Sequence, residues 1–271
     1  MKVKQIIVAA MLAASAFVQA QEFPLGIRAQ ALGGATVAKG NEAEILFDNS
    51  ALLASVPGVT FTAFYSHPFG LKELRLGSFS SSANWRLLAL GAAVVDFGND
   101  LYRERRYHIA IARHFLPKQT LALGLSSALR HLRISGYGDD SAILFNLGTR
   151  LHLSEALTLG SAFTNVLDAS IGRQKERLPR SVCFGFAYSP AASVTLQMDL
   201  YKQSNFPEEG RIGIEASPVS ALLLRTGVAT NPDRLTFGFA LRLLKLSLQF
   251  AAFSHTDLGW TQQFAMTFIL Q

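Results

Sequence analysis

The feature that most constrains this chain is a two-residue alternation of side chains that repeats from residue 58 to the C-terminus. In residues 235–243, Leu or Phe occupies every second position, and Thr, Gly, Ala and Arg occupy the positions between. Successive side chains of a β-strand point to opposite faces, so the pattern predicts strands with one large apolar face and one face of small residues. We count about fourteen such runs, each close to the ~10 residues that a tilted strand needs to cross a bilayer.

The connections between the runs alternate in style. Short ones, such as 189–193 and 217–220, alternate with longer and more polar ones, such as 167–180 and 202–210. Short periplasmic turns and longer extracellular loops are typical of outer-membrane barrels, and an even strand count places both chain ends on the periplasmic side. The predicted strands begin near Val59, Leu74, Leu87, Tyr107, Thr120, Ile143, Leu157, Val182, Val194, Ile212, Leu222, Leu235, Leu246 and Trp260.

The low charge of the chain separates a membrane barrel from a soluble sandwich. Only 16% of the residues are charged, whereas a soluble domain usually has about 25%. The face of small residues carries too little charge for a soluble exterior, and a sheet that spans hydrocarbon has to close because open edges are forbidden there. Residues 58–271 are therefore predicted to form an all-β, transmembrane outer-membrane β-barrel of about fourteen antiparallel strands. Its interfacial aromatic girdles are predicted to include Tyr65, Tyr107, Tyr188 and Trp260.

The first twenty residues have the features of a secretory signal peptide. Lys2 and Lys4 precede a short apolar stretch, and Val18-Gln19-Ala20 is a small-x-small cleavage site. We expect residues 1–20 to be removed during export and the mature chain to reside in the outer membrane of a Gram-negative cell, with the lipid bilayer as its first partner.

Several functional classes are disfavoured by the sequence. The net charge of +6 comes without a long Lys/Arg run, which argues against nucleic acid. The single cysteine, Cys183, forms no internal disulfide, and no Cys/His group has the spacing of a zinc site. Gly33 and Gly34 lack the spacing of a phosphate loop, and no nucleophile-elbow motif is present. We therefore expect no enzymatic activity, no cofactor and no metal, with a hydrolase site assembled across strands as a distant alternative.

Residues 21–57 are the one part of the predicted mature chain without strand alternation. Asn41 is placed to cap one or two helical turns, with Glu42 and Glu44 in the first turn. A barrel of fourteen strands is wider than its own side chains can fill. We therefore interpret residues 21–57 as a plug in the bore, with a free periplasmic arm as the alternative.

Charged residues also occur on the face of small residues. Asp199, Glu215, Arg225 and Arg242 occupy it on four successive strands, and Arg75 is assigned to the same face. They either form a selectivity site or pair across strands to keep the lumen neutral. We favour pairing and expect Arg225 to contact the plug or Asp199.

The stretch RAQALGGATVAKGNEAEILFDNSALLASV, residues 28–56, resembles the N-terminal signature of the FadL superfamily, and more closely its PorV/PorQ-like branch. Asn49 and Ala51 match the usual N-P-A-G-L motif, while Ser50 replaces its proline and Leu52 its glycine. The resemblance extends over later stretches and implies a fourteen-stranded barrel with an N-terminal plug. The candidate plug or gate residues are Gly33, Gly34, Phe47, Asn49, Ser50 and Ala51.

The resemblance implies two functions. The leading one is a transport- or secretion-associated barrel of PorV/PorQ type that binds proteins of type IX secretion. The alternative is a FadL-like channel for passive uptake of hydrophobic small molecules such as long-chain fatty acids. A channel is predicted to show a continuous apolar pocket beside the plug and a break in a strand. The candidate weak points in the strands are Gly77, Gly124, Gly148, Gly160, Gly185 and Gly238.

Overall fold

The computed structural model describes residues 24–85, 88–116, 119–255 and 259–270. The predicted signal peptide at residues 1–20 lies outside the described residues. No helix in the described part of the chain is long and apolar enough to cross a membrane.

Fourteen of the described strands close into one antiparallel barrel, which confirms the predicted fold class. Two further strands of two residues each, β8 and β9, form a separate hairpin. The strands are β1 (Val59–Ser66), β2 (Arg75–Trp85), β3 (Leu88–Gly98), β4 (Tyr102–Phe115), β5 (Leu121–Ile134), β6 (Gly138–His152), β7 (Leu157–Thr164), β8 (Ser170–Ile171), β9 (Glu176–Arg177), β10 (Ser181–Ala191), β11 (Val194–Gln203), β12 (Glu209–Val219), β13 (Leu222–Ala229), β14 (Arg234–Leu243), β15 (Leu246–His255) and β16 (Gly259–Leu270).

The wall is formed by neighbours in sequence. Each barrel strand pairs with the next, and β16 closes the barrel on β1, with Val59 opposite Leu270. Among the described strand pairs, register shifts occur beside the short turns after β10 and β12. β6 continues beyond its last pair with β7, and residues 165–180 lie against this extension. The mid-strand break that the channel alternative predicts is not present in the described pairs.

The two faces of the wall follow the predicted alternation. On β14, Leu235, Phe237 and Phe239 are exposed on the outer surface, whereas Thr236 and Ala240 are buried inside. Arg75 does not lie on the inner face to which the sequence pattern assigned it. It lies on the outer face of β2, because the buried serines that mark the inner face of that strand are at even positions. The predicted girdle residues all point outward and are exposed, namely Tyr65, Tyr107, Tyr188 and Trp260.

The ends of the barrel differ in their connections. Short turns at 192–193, 220–221 and 244–245 lie at the end where β1 begins and β16 finishes. Longer connections, 67–74 and 165–180 among them, lie at the opposite end. We name the two ends periplasmic and extracellular, following the usual asymmetry of such barrels.

Residues 24–57 lie inside the barrel, and we call them the plug. Its helix α1 (Ile27–Ala31) packs against β13–β16, and its second 3-10 helix (Ser50–Ser55) packs against β4–β6. The first 3-10 helix (Ala43–Phe47) lies between them and contacts β1–β3. The segment therefore crosses the whole bore. Its apolar side chains pack on alanines of the wall, in a cluster that includes Leu46, Leu52, Leu53, Val56, Ala89, Ala110 and Ala122.

Candidate functional site

Glycines on the inner wall allow the plug backbone to lie directly against the strands. A Cβ atom added at Gly124 would lie 2.3 Å from the backbone nitrogen of Ala51, and one at Gly160 would lie 2.2 Å from the carbonyl oxygen of Val37. No side chain fits at such distances, so these positions require glycine. These two glycines, both interpreted as weak points in the strands, therefore form part of the surface on which the plug sits. The plug backbone also comes within 3.0 Å of an added Cβ at Gly148, Gly213 and Gly227, whereas Gly91 and Gly238 face the plug side chains of Leu53 and Ala31.

Asn49 links the plug to the wall and also links separate parts of the plug to each other. Its side-chain nitrogen donates to the carbonyl oxygens of Val37 (2.7 Å) and of Thr149 on β6 (2.8 Å). Its side-chain oxygen accepts from the backbone N–H of Ala51 (3.0 Å), which caps the second 3-10 helix. Asn49 is buried, so removing its side chain would deprive each of these partners of a hydrogen bond that water does not replace.

Replacing Asn49 with alanine is expected to lower the free energy of unfolding by about 2–3 kcal/mol, because three buried hydrogen bonds are lost. Urea unfolding in lipid vesicles, followed by tryptophan fluorescence, measures the change. Asn41→Ala is the matched control, since Asn41 is an exposed residue of the same plug. Equal unfolding midpoints for the two variants would contradict the assigned role of Asn49.

The other gate candidates also lie where the plug meets the wall. Gly33 and Gly34 have positive φ angles of 64° and 85° and turn the chain after α1. The Phe47 ring packs edge-on against the ring of His108 on β4, with a centroid distance of 5.0 Å. Ser50 and Ala51 are buried against Gly124. Their role in gating stays a prediction, because contacts alone do not show movement.

Four charged residues form a network between wall and plug. Arg225 binds Glu215 on the neighbouring strand (2.8 Å) and Glu42 of the plug (2.7 Å). Arg28 of α1 binds the same Glu215 at 3.2 Å, and Gln249 accepts a further hydrogen bond from Arg225. Two positive and two negative groups balance one another away from water. This geometry favours the pairing alternative over a free selectivity site.

The structure separates the other two members of the predicted charge cluster. Asp199 accepts the backbone N–H groups of Thr36 (2.8 Å) and Val37 (2.9 Å) and so anchors a different turn of the plug. Arg242 has an exposed side chain at the periplasmic end of β14 and takes no part in the network around Arg225. The four residues share a barrel face but do not form one site.

Two further charge groups, which the sequence analysis missed, lie on the extracellular half of the inner wall. Glu104 binds Arg106 and Arg130, the latter at 2.8 Å. On the wall segment β12–β14, Glu209 binds Arg211 at 2.9 Å and Arg234. The signal in the sequence is the two-residue spacing of Glu104 with Arg106 and of Glu209 with Arg211, which places each pair on one face of a strand.

A small cavity lies between the plug and the extracellular loops. Its volume is about 140 Å³, and its lining combines Val37, Phe47 and Leu144 with Arg106 and Arg211. An engineered cavity of about 150 Å³ is known to bind benzene, so this cavity has room for one six-membered ring. It differs from the continuous apolar pocket predicted for a channel, because charged groups share its wall and the plug closes its floor.

The long loop 165–180 folds over the bore above this cavity. Ile171 and Leu178 of the loop pack with Ala142 and with Leu132 and Leu144. The loop is also tied to β6 by the backbone N–H of Asn165, which donates to the Asn146 side chain at 2.9 Å.

A second cavity, of about 240 Å³, lies on the periplasmic side of the plug. Its lining includes Arg28, Lys39, Arg150 and Glu215. The plug therefore separates one cavity from the other.

Two carboxyl groups of the plug have pKa values above their ordinary range. Burial and the neighbouring Glu42 raise the pKa of Glu44 to about 8, although the backbone N–H of Ile27 donates to it. Burial raises the pKa of Asp48 to about 7, against the opposing effect of the Thr36 hydroxyl group and of Arg211. The docked plug therefore favours the protonated form of both groups.

Plug docking is expected to weaken as pH rises. The folded pKa values exceed the ordinary ones, so the contribution of each group is complete below its ordinary pKa of 4.5 or 3.8 and is lost as pH rises towards 8 or 7. The slope is on the order of 1 kcal/mol per pH unit and per group within these windows. Urea midpoints at pH 5.5 and 8.5 measure it, and Glu44→Gln should flatten the dependence. A stability that rises with pH over this range would contradict the assignment.

A closed barrel of fourteen strands with apolar side chains outside and a chain segment across its bore defines a plugged barrel of the outer-membrane type. No protein-family model matches the sequence, and no curated protein matches it.

Solved structures do match the fold. The toluene transporter TbuX of Ralstonia pickettii aligns with a TM-score of 0.67 and 12% identity over 91% of this chain and 98% of its own. The monoaromatic hydrocarbon channel CymD aligns with a TM-score of 0.69 and 11% identity over 91% and 98%. A Pseudomonas aeruginosa FadL homologue aligns with a TM-score of 0.63 and 11% identity over 91% and 99%. At these identities the comparisons establish the shared fold.

Proposed function

We propose that this protein is a channel of the bacterial outer membrane through which small hydrophobic molecules, about the size of one aromatic ring, pass by diffusion. The observation that carries the proposal is the plug. It crosses a barrel of transmembrane dimensions and closes the floor of a cavity whose volume suits a single ring. A barrel built for one ring at a time needs an element of this kind to exclude ions and larger solutes.

The comparisons support the substrate class. Two of the matching structures are described as a toluene transporter and a monoaromatic hydrocarbon channel. The alternative inferred from the sequence, a FadL-like channel, therefore gains support. The leading interpretation from the sequence, a PorV/PorQ-type partner of type IX secretion, gains none from these comparisons and rests on the sequence resemblance alone.

In this proposal, the plug both contacts the hydrophobic molecule and moves to let it pass. On the extracellular face, Val37 and Phe47 offer the hydrophobic molecule an apolar contact at the floor of the cavity. Passage then requires the plug to leave its seat on the wall glycines, and Asn49 and Asp199 resist that movement. The mechanism is passive, and no covalent step is involved.

Uptake of labelled toluene by Gram-negative cells that carry or lack the protein tests the proposal, with glycerol as a polar solute. Ala128→Phe places a large side chain in the cavity and is expected to reduce toluene uptake to the level of cells without the protein. Leu129→Phe is the matched control, because the neighbouring side chain faces lipid. Equal toluene uptake with and without the protein, together with co-purification of secretion-system proteins, would favour the PorV/PorQ interpretation.

A further inference from the structure

The outer face of β4 carries arginines at both ends of an apolar band. Each outward position advances by two residues, or about 5 Å along the axis of a barrel with strands tilted by ~40°. Arg105 and Arg103 therefore lie about 5 and 10 Å beyond the ring of Tyr107, where the headgroup layer of a bilayer follows the aromatic girdle. From the extracellular end, the outer positions of β4 are Arg103, Arg105, Tyr107, Ile109, Ile111, Arg113 and Phe115.

The neighbouring strand β5 adds positive charge at the same level. In the antiparallel register, Arg133 lies directly opposite Arg103, and His131 lies opposite Arg105. Like charges in directly opposite positions are destabilising. We call Arg103, Arg105 and Arg133 the outer arginine cluster.

Several N–H donors of the cluster have no partner within the described residues. Asp96 on β3 accepts two hydrogen bonds from Arg103, at 2.8 and 2.6 Å, and one from the Nε of Arg105 at 3.0 Å. Within the described residues, neither the terminal nitrogens of Arg105 nor the Arg133 side chain forms a hydrogen bond or ion pair. Two other carboxylates are close in sequence and register, Asp100 in the turn before β4 and Asp139 opposite Arg133. Neither of them forms an ion pair with Arg105 or Arg133 in the described part of the chain.

Another basic residue on the outer face is satisfied within the protein. Lys202 on β11 binds Glu208 at 2.9 Å. The terminal nitrogens of Arg105 and the guanidinium group of Arg133 are instead exposed at headgroup level, so lipid is the molecule that meets them. Guanidinium groups bind phosphate with two parallel hydrogen bonds, which matches the free N–H groups here.

We propose that the outer arginine cluster is a binding site for the phosphate groups of the outer-leaflet glycolipid, the diphosphorylated lipid A. A phosphate between Arg103 and Arg133 removes the repulsion of that pair, and the free nitrogens of Arg105 bind the same headgroup. The site rests on the outer-membrane location proposed above and is independent of what passes through the bore.

Native mass spectrometry of the full-length protein in micelles with diphosphoryl lipid A tests the site. The double variant Arg105→Gln, Arg133→Gln is expected to bind this lipid about thirtyfold more weakly, because each of the two arginines near a membrane surface contributes about 1 kcal/mol and every 1.4 kcal/mol is tenfold. Arg113→Gln, an outward arginine at the other end of the same strand, is expected to bind as wild type does. Heat-modifiable mobility on gels confirms that each variant is folded, and Arg133→Gln alone serves if the double variant is not.

Competing ligands distinguish the sources of phosphate. We expect monophosphoryl lipid A and phosphatidylglycerol to bind more weakly than diphosphoryl lipid A, and excess inorganic phosphate not to displace it. Equal retention of diphosphoryl lipid A by wild type and the double variant would overturn the proposal. Displacement by inorganic phosphate would overturn it too, because the site would then be specific for the free ion.

Discussion

Replacing Arg225 with methionine is expected to destabilise the protein by about 3–5 kcal/mol, one of the two largest effects that the structure predicts. Arg225 is buried and binds Glu215 of the wall and Glu42 of the plug. Removing it leaves Glu42, whose side chain is only 12% exposed, without this partner. An uncompensated charge in a buried ion pair costs this much in other proteins. Arg28 still binds Glu215, so the loss falls mainly on the attachment of the plug. Urea unfolding in vesicles measures the effect.

Arg242→Met is the matched control for this substitution. Arg242 lies on the adjacent strand, but its side chain is exposed, so its replacement is expected to change the free energy of unfolding by less than about 0.5 kcal/mol. Adding Glu42→Gln to Arg225→Met should recover part of the loss, because the unpaired carboxylate is removed. If Arg225→Met and Arg242→Met were equally stable, the network would not attach the plug.

Gly124→Val is expected to displace the plug and turn the barrel into an ion-conducting pore. The Cβ at position 124 would lie 2.3 Å from the nitrogen of Ala51 and 2.4 Å from the carbonyl carbon of Ser50, and these backbone atoms have no rotamer by which to move aside. Overpacking of this kind costs about 1–3 kcal/mol when the neighbours adjust, and here the adjustment unseats the second 3-10 helix. Valine suits a β-strand, so the barrel itself should fold. Planar-bilayer recordings measure the conductance.

Gly77→Val provides the comparison for this variant. The nearest atom to a Cβ at Gly77 is 3.7 Å away, an ordinary contact, and the residue lies on the outer face of β2. Its conductance should equal that of wild type. Closed channels for both variants would mean that the plug adjusts to the valine without leaving its seat.

Most of the wall could be predicted from the sequence, because its cause is local. A strand in a membrane barrel has to alternate between lipid and lumen, so Leu235, Phe237 and Phe239 mark their face without knowledge of any partner. The predicted starts at Val59, Leu157, Val194, Leu222 and Leu246 coincide with the strands of the structure. The predicted starts of β4 and β6 lie further along the chain than the observed starts. Their extracellular ends carry charged and polar residues that interrupt the apolar alternation.

The candidate site could be predicted only in part, because its contacts join distant parts of the chain. Arg28 and Glu215 are 187 positions apart, and no local pattern identifies them as partners. The wall glycines illustrate the same difficulty. In the sequence, Gly124 and Gly160 look like weak points in a strand. The structure shows that they make room for the plug backbone, which lies against them. Asn49 was identified through the family resemblance, whereas its bond to Thr149 follows from the packing of the plug.

The conductance of a variant that lacks residues 24–55 tests most directly whether this segment closes the bore. The variant retains all fourteen wall strands and loses the three helical contacts with the wall, at β13–β16, at β1–β3 and at β4–β6. Single-channel recordings in planar bilayers should show large, steady openings for the deletion variant and a closed baseline for the wild-type protein. Equal conductance of the two proteins would contradict the account, because the bore would then be closed by the wall and the loops rather than by the plug.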